Sequence, residues 1–368
     1  MNEYLVKALY LDGIKKMDKM DEDVVSAVAT PNIALIKYWG KREERLILPT
    51  NSSISMTFDE TFRTKTSVIF TERANEDAFY INGVRQDLSD KDTMERFAII
   101  DMMRRMKGTN ARAVVVSENS FPTASGMASS ASGIAAMVFA ANSALGLGLG
   151  TRELSMIARQ GSGSSCRSLA GGFVKWERGS KEDGSDSCIR QIAGPGHWPE
   201  IIDIVAIVSK SKKKISSRAG MKQTVANSIL YKARLEYAER ACVETEEAIL
   251  KMDFERLGML MMRDSNNMHA VMLDTYPPIL YLNDASREII SAISGLNESE
   301  DRIIASYTFD AGPNANIFTL ERHRRKVEEA LSGIEGIESI SIAKAGNGPR
   351  ILGEEDSLID PSTIGVKS

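Results

Sequence analysis

Pro122-Thr-Ala-Ser-Gly-Met-Ala-Ser-Ser-Ala-Ser-Gly133 places two glycines and five hydroxyl residues immediately before Ile134–Leu145, an apolar segment of small residues. The apolar segment predicts a buried helix. The preceding loop predicts an anion site, because glycines let the backbone approach an anion and the first helical N–H groups are unpaired at the positive end of the helix dipole. A plainer reading is that Gly126 and Gly133 relieve packing and Ser129 is an ordinary N-cap. The loop has neither the Gly-Lys-Ser/Thr ending of a Walker loop nor the dinucleotide-binding glycine spacing.

The composition is that of an ordinary globular protein. Its 368 residues are 43% hydrophobic and 26% charged, enough for one large or two medium domains. A net charge of −4 argues against a nucleic-acid binder. No apolar run has transmembrane length and the N-terminus does not resemble a signal peptide, so we expect no membrane association and a cytoplasmic location. The cysteines Cys166, Cys188 and Cys242 fit no zinc spacing, and no metal site of the protein's own is predicted.

The order of predicted elements indicates an α+β protein, because strands come first, then helices, then a split β-α-β end. We expect an N-terminal extension over residues 1–24, an N-terminal α+β domain with the phosphate loop over 25–208, a C-terminal α+β domain over 209–353, and a loose tail over 354–368.

Local patterns give the individual elements. Val24–Tyr38 is predicted as a strand broken at Pro31, and Thr93–Met106 as an amphipathic helix. Leu169–Glu177 is predicted as a further strand, and a strongly helical pattern is expected from Val225 onward.

Lys37 is unusual because it lies inside an apolar run, Asn32-Ile-Ala-Leu-Ile-Lys-Tyr-Trp-Gly-Lys41. A lysine there is either paired with a carboxylate or functional, or it is a strand-end lysine whose amine reaches water. The pattern alone leaves these alternatives open.

Arg167 is the one charged residue of a second glycine- and serine-rich loop, Gln160–Gly172. An arginine among hydroxyls and backbone N–H groups suits bidentate capture of a carboxylate or phosphate. The alternative, a flexible surface turn, explains the glycines but does not explain an arginine so close to a core strand.

Two further segments combine a buried strand with polar residues. The basic run Lys210–Met221 contains Ser216-Ser-Arg218 after a strand, as a ligand-facing loop would. Asp310 lies where another strand ends in a tight turn, so it is either a structural turn residue or a rigidly held carboxylate with a chemical role.

In combination these segments resemble the diphosphomevalonate decarboxylase family, within the superfamily of galactokinase, homoserine kinase, mevalonate kinase and phosphomevalonate kinase. The resemblance runs from about residue 26 to residue 352. It rests on five blocks in order: Asn32–Lys41 with Leu48–Ser53, the loop Pro122–Gly133, Gly161–Ser168, Ser216–Arg218 and Phe309–Ala315. The resemblance implies two α+β halves around a deep active-site cleft, and a homodimer.

The family reaction implied is phosphorylation of the C3 hydroxyl of mevalonate 5-diphosphate by ATP, followed by loss of phosphate and CO2 to give isopentenyl diphosphate. The resemblance assigns catalysis to Asp310, Lys37 and Arg167. It assigns substrate binding to Asn32, Tyr38, Lys41, Ser162, Ser164 and Arg218, and nucleotide phosphates to Ser125, Gly126, Ala128, Ser129 and Ser130.

Three branches of the family fit the same residues. The first expectation is an ATP-dependent enzyme that uses ATP and Mg²⁺. An archaeal branch instead decarboxylates mevalonate 3,5-bisphosphate without ATP or any other cofactor, and a third branch takes mevalonate 5-phosphate with ATP. The loop Pro122–Gly133 does not separate them, because it can persist after ATP use is lost.

Overall fold

A computed structural model describes residues 22–121, 129–208 and 214–364. In these ranges, strands β1 to β16 are Val25–Ala29, Asn32–Ile36, Lys41–Glu43, Leu48–Pro49, Ser53–Thr57, Thr64–Thr71, Ala78–Ile81, Val84–Arg85, Arg112–Asn119, Phe173–Trp176, Ile189–Ala193, Ile201–Ile207, Ala305–Phe309, Ala315–Leu320, Ser339–Ala343 and Arg350–Ile351. Helices α1 to α8 are Lys91–Lys107, Ser129–Ala144, Thr151–Ala158, Ser217–Asn227, Tyr231–Lys251, Phe254–Leu273, Asp284–Ser299 and Arg324–Leu331. None of these helices is both long and apolar enough to cross a bilayer.

The N-terminal half contains two sheets with helix α2 packed between them. One sheet has the order β16-β1-β6-β9-β7-β8 and the other β11-β10-β5-β2. Alternate residues of β6, such as Val68 and Phe70, join Val174 and Trp176 of β10 in one core. The alanines of α2 fill the space between, which is why this helix is apolar on nearly every side.

The C-terminal half is built on an antiparallel sheet of order β13-β14-β12-β15, covered on both faces. Along β12, Ile202 and Ile204 belong to the core with α7 and α8, while Ile201 and Val205 face the core with α5 and α6. Because both faces are covered, the strand is apolar almost throughout. Asp203 is the exception on this strand.

The end of the chain returns to the N-terminal half. Strand β16 pairs with β1, and Lys65 on β6 forms an ion pair with Asp356 at 2.5 Å. The backbone N–H of Leu358 donates to Oγ of Ser67 at 2.9 Å. The expected loose tail is therefore wrong for residues 354–359, which pack on the sheet. The division into domains 25–208 and 209–353 stays a prediction, and residues 1–21 of the predicted extension lie outside the described residues.

The remaining differences from the predicted elements are local. The helix expected from Ile134 begins at Ser129, inside the hydroxyl-rich segment. The strand expected from Leu169 begins only at Phe173, because residues 163–169 form a 3-10 helix. The helical region begins at Ser217 rather than Val225, since the Ser216 side chain accepts the Ala219 N–H and caps α4.

Candidate active site

A cavity of about 1010 Å³ lies at the meeting of the two halves. It brings together ten of the residues that the resemblance assigned: Asn32, Lys37, Tyr38, Lys41, Ser130, Ser162, Ser164, Arg167, Arg218 and Asp310. Ser129 starts α2. Ser125, Gly126 and Ala128 lie outside the described residues.

The walls of this cavity are cationic although the whole chain carries a net charge of −4. Of the residues that line it in the described part of the chain, nine are lysines or arginines and four are aspartates or glutamates. A concave surface with such an excess of positive charge concentrates anions, phosphorylated ligands among them.

Lys37 and Asp310 form an ion pair in this cavity, with Nζ of Lys37 2.6 Å from Oδ1 of Asp310. Lys37 follows the end of β2 and is 1% exposed, whereas the Asp310 side chain, after β13, is 39% exposed. Lys37 is therefore paired with a carboxylate and does not reach out to water, which answers the question left open by its sequence context. The pair presents a carboxylate to the cavity with a buried ammonium behind it.

Arg167 is held in a fixed orientation by uncharged groups. Its Nε donates to Oδ1 of Asn32 at 3.1 Å and its Nη1 to Oγ of Ser53 at 2.8 Å. Asn32 in turn donates to Oγ of Ser168 at 2.8 Å. Arg167 is 3% exposed, and burial lowers the pKa of its guanidinium. Within the described part of the chain no carboxylate lies at ion-pair distance from Arg167, and Asp310 acts on its charge only from further away.

Tyr38 and Lys41 also line the cavity. Tyr38 lies just after the end of β2, and Lys41 is the first residue of β3. The Tyr38 ring packs on Gly163 so closely that a Cβ on that glycine would lie 2.6 Å from Cε1 of the ring. Burial raises the pKa of Tyr38, which keeps its hydroxyl protonated and able to donate a hydrogen bond. Nζ of Lys41 lies 2.7 Å from Oε2 of Glu44.

Arg218 approaches from the C-terminal half and contacts the opposite wall. Its Nη2 donates to the carbonyl of Gly161 at 2.6 Å, and its Nη1 forms an ion pair with Glu95 of α1. Asp92, one turn earlier on α1, lies 3.9 Å from the same nitrogen. Sequence reasoning missed this acidic wall, because α1 reads as an ordinary amphipathic helix.

His269 on α6 packs behind the Lys37–Asp310 pair. Its ring lies edge-on to Phe309, with the ring centroids 6.3 Å apart. Burial, together with the charge of Lys37, lowers the pKa of His269 to about 4. The imidazole is therefore neutral near pH 7 and adds no charge to the site.

Two family models match the chain in succession. The model described as diphosphomevalonate decarboxylase-like N-terminal domain matches residues 29–189, and that described as mevalonate 5-diphosphate decarboxylase C-terminal domain matches residues 203–343. The diphosphomevalonate decarboxylase of Debaryomyces hansenii is 44% identical over 313 residues, covering 82% of this chain and 81% of that protein. The rat diphosphomevalonate decarboxylase is 41% identical over 348 residues, covering 91% and 84%.

Solved structures agree with these matches. Mevalonate diphosphate decarboxylase from Trypanosoma brucei superposes with a TM-score of 0.84 at 34% identity, covering 92% of this chain and 100% of that one. The enzyme from Enterococcus faecalis gives 0.81 at 36% identity, covering 89% and 98%. A structure described as MDDEF in complex with MVAPP, AMPPCP and magnesium gives 0.82 at 36% identity, with the same coverage.

The fold is thus the mixed α+β fold of the galactokinase, homoserine kinase, mevalonate kinase and phosphomevalonate kinase superfamily, as expected. Within it, the chain belongs to the diphosphomevalonate decarboxylase family.

Proposed function

We propose that this protein is an ATP-dependent diphosphomevalonate decarboxylase, which converts mevalonate 5-diphosphate and ATP into isopentenyl diphosphate, ADP, phosphate and CO2. The observation that carries the proposal is Arg167, a buried and rigidly held guanidinium that shares a cavity with the Lys37–Asp310 pair. A buried guanidinium with no carboxylate at ion-pair distance is costly. The carboxylate of the substrate supplies a counter-charge at that distance when it binds to Arg167.

Asp310 acts on the carbon that loses phosphate. As the C3–O bond breaks, its electron pair leaves with the phosphate and positive charge develops on C3. A carboxylate fixed beside this carbon stabilises that charge. Lys37 holds the carboxylate in place from the buried side. The C1–C2 bond then breaks, and its electron pair forms the C2–C3 double bond as CO2 leaves from beside Arg167.

The other polar residues of the cavity orient the substrate. We assign the 5-diphosphate to Tyr38, Lys41 and Arg218, two cations and a hydrogen-bond donor on facing walls. Ser162 and Ser164 lie beside Arg167, with their hydroxyls 3.5 Å apart. Asn32 contributes to substrate binding through Arg167, because its amide oxygen accepts a hydrogen bond from that guanidinium.

The cavity suits a second, nucleotide ligand. Cavities for one small ligand are about 300–1,000 Å³, and this one reaches about 1010 Å³. Ser130, in the first turn of α2, lines it, and its hydroxyl lies 3.5 Å from that of Ser162. We assign Ser125, Gly126, Ala128, Ser129 and Ser130 to the phosphates of ATP, which supplies the phosphoryl group. Mg²⁺ binds mostly through such phosphates and needs few protein carboxylates.

The relatives favour the ATP-dependent branch. The similar proteins with this family name include those of a yeast and the rat, which argues against the archaeal, ATP-independent branch. The solved structure of the E. faecalis enzyme is described in terms of a mevalonate diphosphate mediated ATP binding mechanism. A homodimer, which rests on the family resemblance, and a cytoplasmic location, which rests on the sequence features described above, complete the proposal.

The test is CO2 release from three substrates, with and without nucleotide. We expect release from mevalonate 5-diphosphate only when ATP and Mg²⁺ are present, and little from mevalonate 5-phosphate with ATP. Release from mevalonate 3,5-bisphosphate without nucleotide, with none from the diphosphate, would overturn the ATP-dependent assignment. A phosphorylated product that keeps its carboxylate would make the protein a kinase instead.

Asp310→Asn tests the assigned chemistry. It should abolish CO2 release while diphosphate binding persists. Glu300→Gln is the matched control, because it removes a carboxylate from a surface ion pair with Lys326, outside the cavity. CO2 release by Asp310→Asn at the rate of the control would contradict the role of Asp310.

A further inference from the structure

Lys37 is held at its backbone as well as at its amine. Oδ2 of Asp264 on α6 accepts the Lys37 N–H at 2.7 Å, and Nη2 of Arg234 on α5 donates to the Lys37 carbonyl at 3.2 Å. Arg234 and Asp264 are themselves an ion pair, with Nη1 of Arg234 3.1 Å from Oδ1 of Asp264, and both side chains are 0% exposed. This buried ion pair therefore contacts both peptide groups of Lys37, and Nδ2 of Asn51 also donates to the Lys37 carbonyl, at 3.0 Å.

The position of Lys37 directly after strand β2 explains what this ion pair does. Strand β2 ends at Ile36, so the Lys37 peptide lies beyond the sheet ladder. Buried backbone groups need partners, and the ion pair supplies the acceptor for the Lys37 N–H and one of the two donors to its carbonyl. Nη1 of Arg234 also donates to Oδ1 of Asn267 at 2.8 Å, which fixes the guanidinium. A buried ion pair adds little net stability over apolar side chains of the same size. Apolar side chains, however, could not accept the hydrogen bond of the Lys37 N–H.

The same turn of α6 also holds the strand that ends just before Asp310. Ser265, next to Asp264, accepts the backbone N–H of Phe309 through its Oγ at 3.0 Å. Phe309 is the last residue of β13 and directly precedes Asp310. Lys37 and Asp310 come from sheets of different halves, and two consecutive residues of one helix contact both segments.

We propose that Asp264, Arg234 and Ser265 are positioning residues that set the geometry of the Lys37–Asp310 pair, an inference that rests on the proposed decarboxylase function. They do not touch the substrate. Asp264 and Arg234 act through Lys37, and Ser265 acts through the backbone at Asp310. Loss of alignment at a reacting group costs up to about 100-fold in rate for about 1 Å of displacement. Their loss should therefore lower kcat more than it changes the KM of the substrate.

Ser265→Ala, with Ser155→Ala as control, gives the first test. Both serines are fully buried on helices, and each accepts a backbone N–H, that of Ile189 at 3.2 Å in the case of Ser155. Ser155 lies outside the cavity lining. The two variants should lose similar stability, but only Ser265→Ala should lose kcat, by about tenfold, with KM within about twofold. Equal kcat values for the two variants would overturn the role of Ser265.

The double variant Arg234→Met with Asp264→Leu tests the ion pair. A single substitution would leave one buried charge unpaired and disrupt folding, whereas replacing both removes the two charges together. The Lys37 N–H then loses its acceptor, so we expect a folded variant with a lower unfolding midpoint than the wild type, and with kcat lower by about 100-fold. A kcat within about twofold of the wild type would overturn positioning by the pair. If this variant does not fold, the serine comparison still decides the inference for α6.

The two proposals fail in different ways. Wild-type protein that releases no CO2 from mevalonate 5-diphosphate with ATP refutes the proposed function. Wild-type protein that releases CO2, together with folded variants of unchanged kcat, refutes only the positioning role.

Discussion

Glu95 on α1 and Arg218 on α4 form an ion pair that connects the two walls of the cavity. Their side chains are 40% and 33% exposed, and exposed pairs of this kind contribute only about 0–1 kcal/mol. A phosphate can accept two hydrogen bonds from one guanidinium and binds it more strongly. Under the proposed function, Glu95 therefore occupies a cation that the 5-diphosphate needs, and substrate binding would exchange one anion for the other.

Glu95→Gln should lower the KM for mevalonate 5-diphosphate by about two- to fivefold, because the substrate no longer has to displace a charged competitor. The value of kcat should stay within about twofold, since Glu95 does not contact the Lys37–Asp310 pair. Initial rates of CO2 release measure both parameters. Calorimetric titration with inorganic diphosphate measures the affinity of the anion site alone.

Glu300→Gln is again the control, since it removes a carboxylate from a surface pair outside the cavity. In an Arg218→Met background, Glu95→Gln should no longer change KM, because the cation they share is gone. A KM that rises in Glu95→Gln would mean that the carboxylate supports the site rather than competing with the ligand.

Arg167→Lys should raise KM and lower kcat together, each by about tenfold or more. Lysine keeps the charge but cannot reproduce the planar fork that donates to Asn32 and Ser53. Steady-state kinetics with mevalonate 5-diphosphate are the measurement. Arg190→Lys, on a surface arginine paired with Glu246, should leave both parameters unchanged. Wild-type kinetics for Arg167→Lys would show that charge alone is sufficient there.

Gly163→Ala should weaken substrate binding through Tyr38. The added methyl group would lie 2.6 Å from Cε1 of the Tyr38 ring, so the ring must move. We expect KM to rise several-fold with a smaller change in thermal stability. Gly194→Ala is the control, because a Cβ there meets nothing within 4 Å. If both variants keep the wild-type KM, the Tyr38 ring does not bind the substrate.

The parts of the site that could be predicted are those where a residue breaks its local pattern. Lys37 stands in an apolar run and Arg167 is the single charge of a glycine- and serine-rich loop, so both attract attention without a structure. Glu95 has no such signal, because a carboxylate on the polar face of a helix is an ordinary solvated residue. Its partner, Arg218, is 123 residues away in the chain.

The fold shows the same division between local and long-range information. Helix α1 and strands β1 and β2 follow from periodicity and from the break at Pro31. The packing of residues 350–359 on β1 and β6 does not, because pairs such as Lys65 and Asp356 depend on the topology of the whole chain. The 3-10 helix over 163–169 is also missed, since short 3-10 segments have no periodic signature.

Asp203 is a buried carboxyl group that forms no ion pair with any described residue, although the charge of Lys37 acts on it from a distance. It lies fully buried in the middle of β12, opposite Phe318 and Ala343, and neither of its carboxylate oxygens has a hydrogen-bond partner. Burial raises the pKa of Asp203 well above its usual value. The folded protein therefore keeps a proton there that the unfolded chain releases above about pH 4.

Asp203→Val should stabilise the fold by about 1–3 kcal/mol, because it replaces an unsatisfied polar group by an apolar one of similar size. The sign of the pH effect follows from the proton count. From about pH 4 upward the folded state binds more protons at this site than the unfolded state, so the contribution of Asp203 to stability falls as pH rises. The gain from Asp203→Val should thus be larger at pH 7 than at pH 5, as measured by denaturant unfolding at each pH. Glu182→Gln, on an exposed loop, should give no such difference. A gain that is equal at the two pH values would mean that Asp203 titrates alike in the folded and unfolded chains.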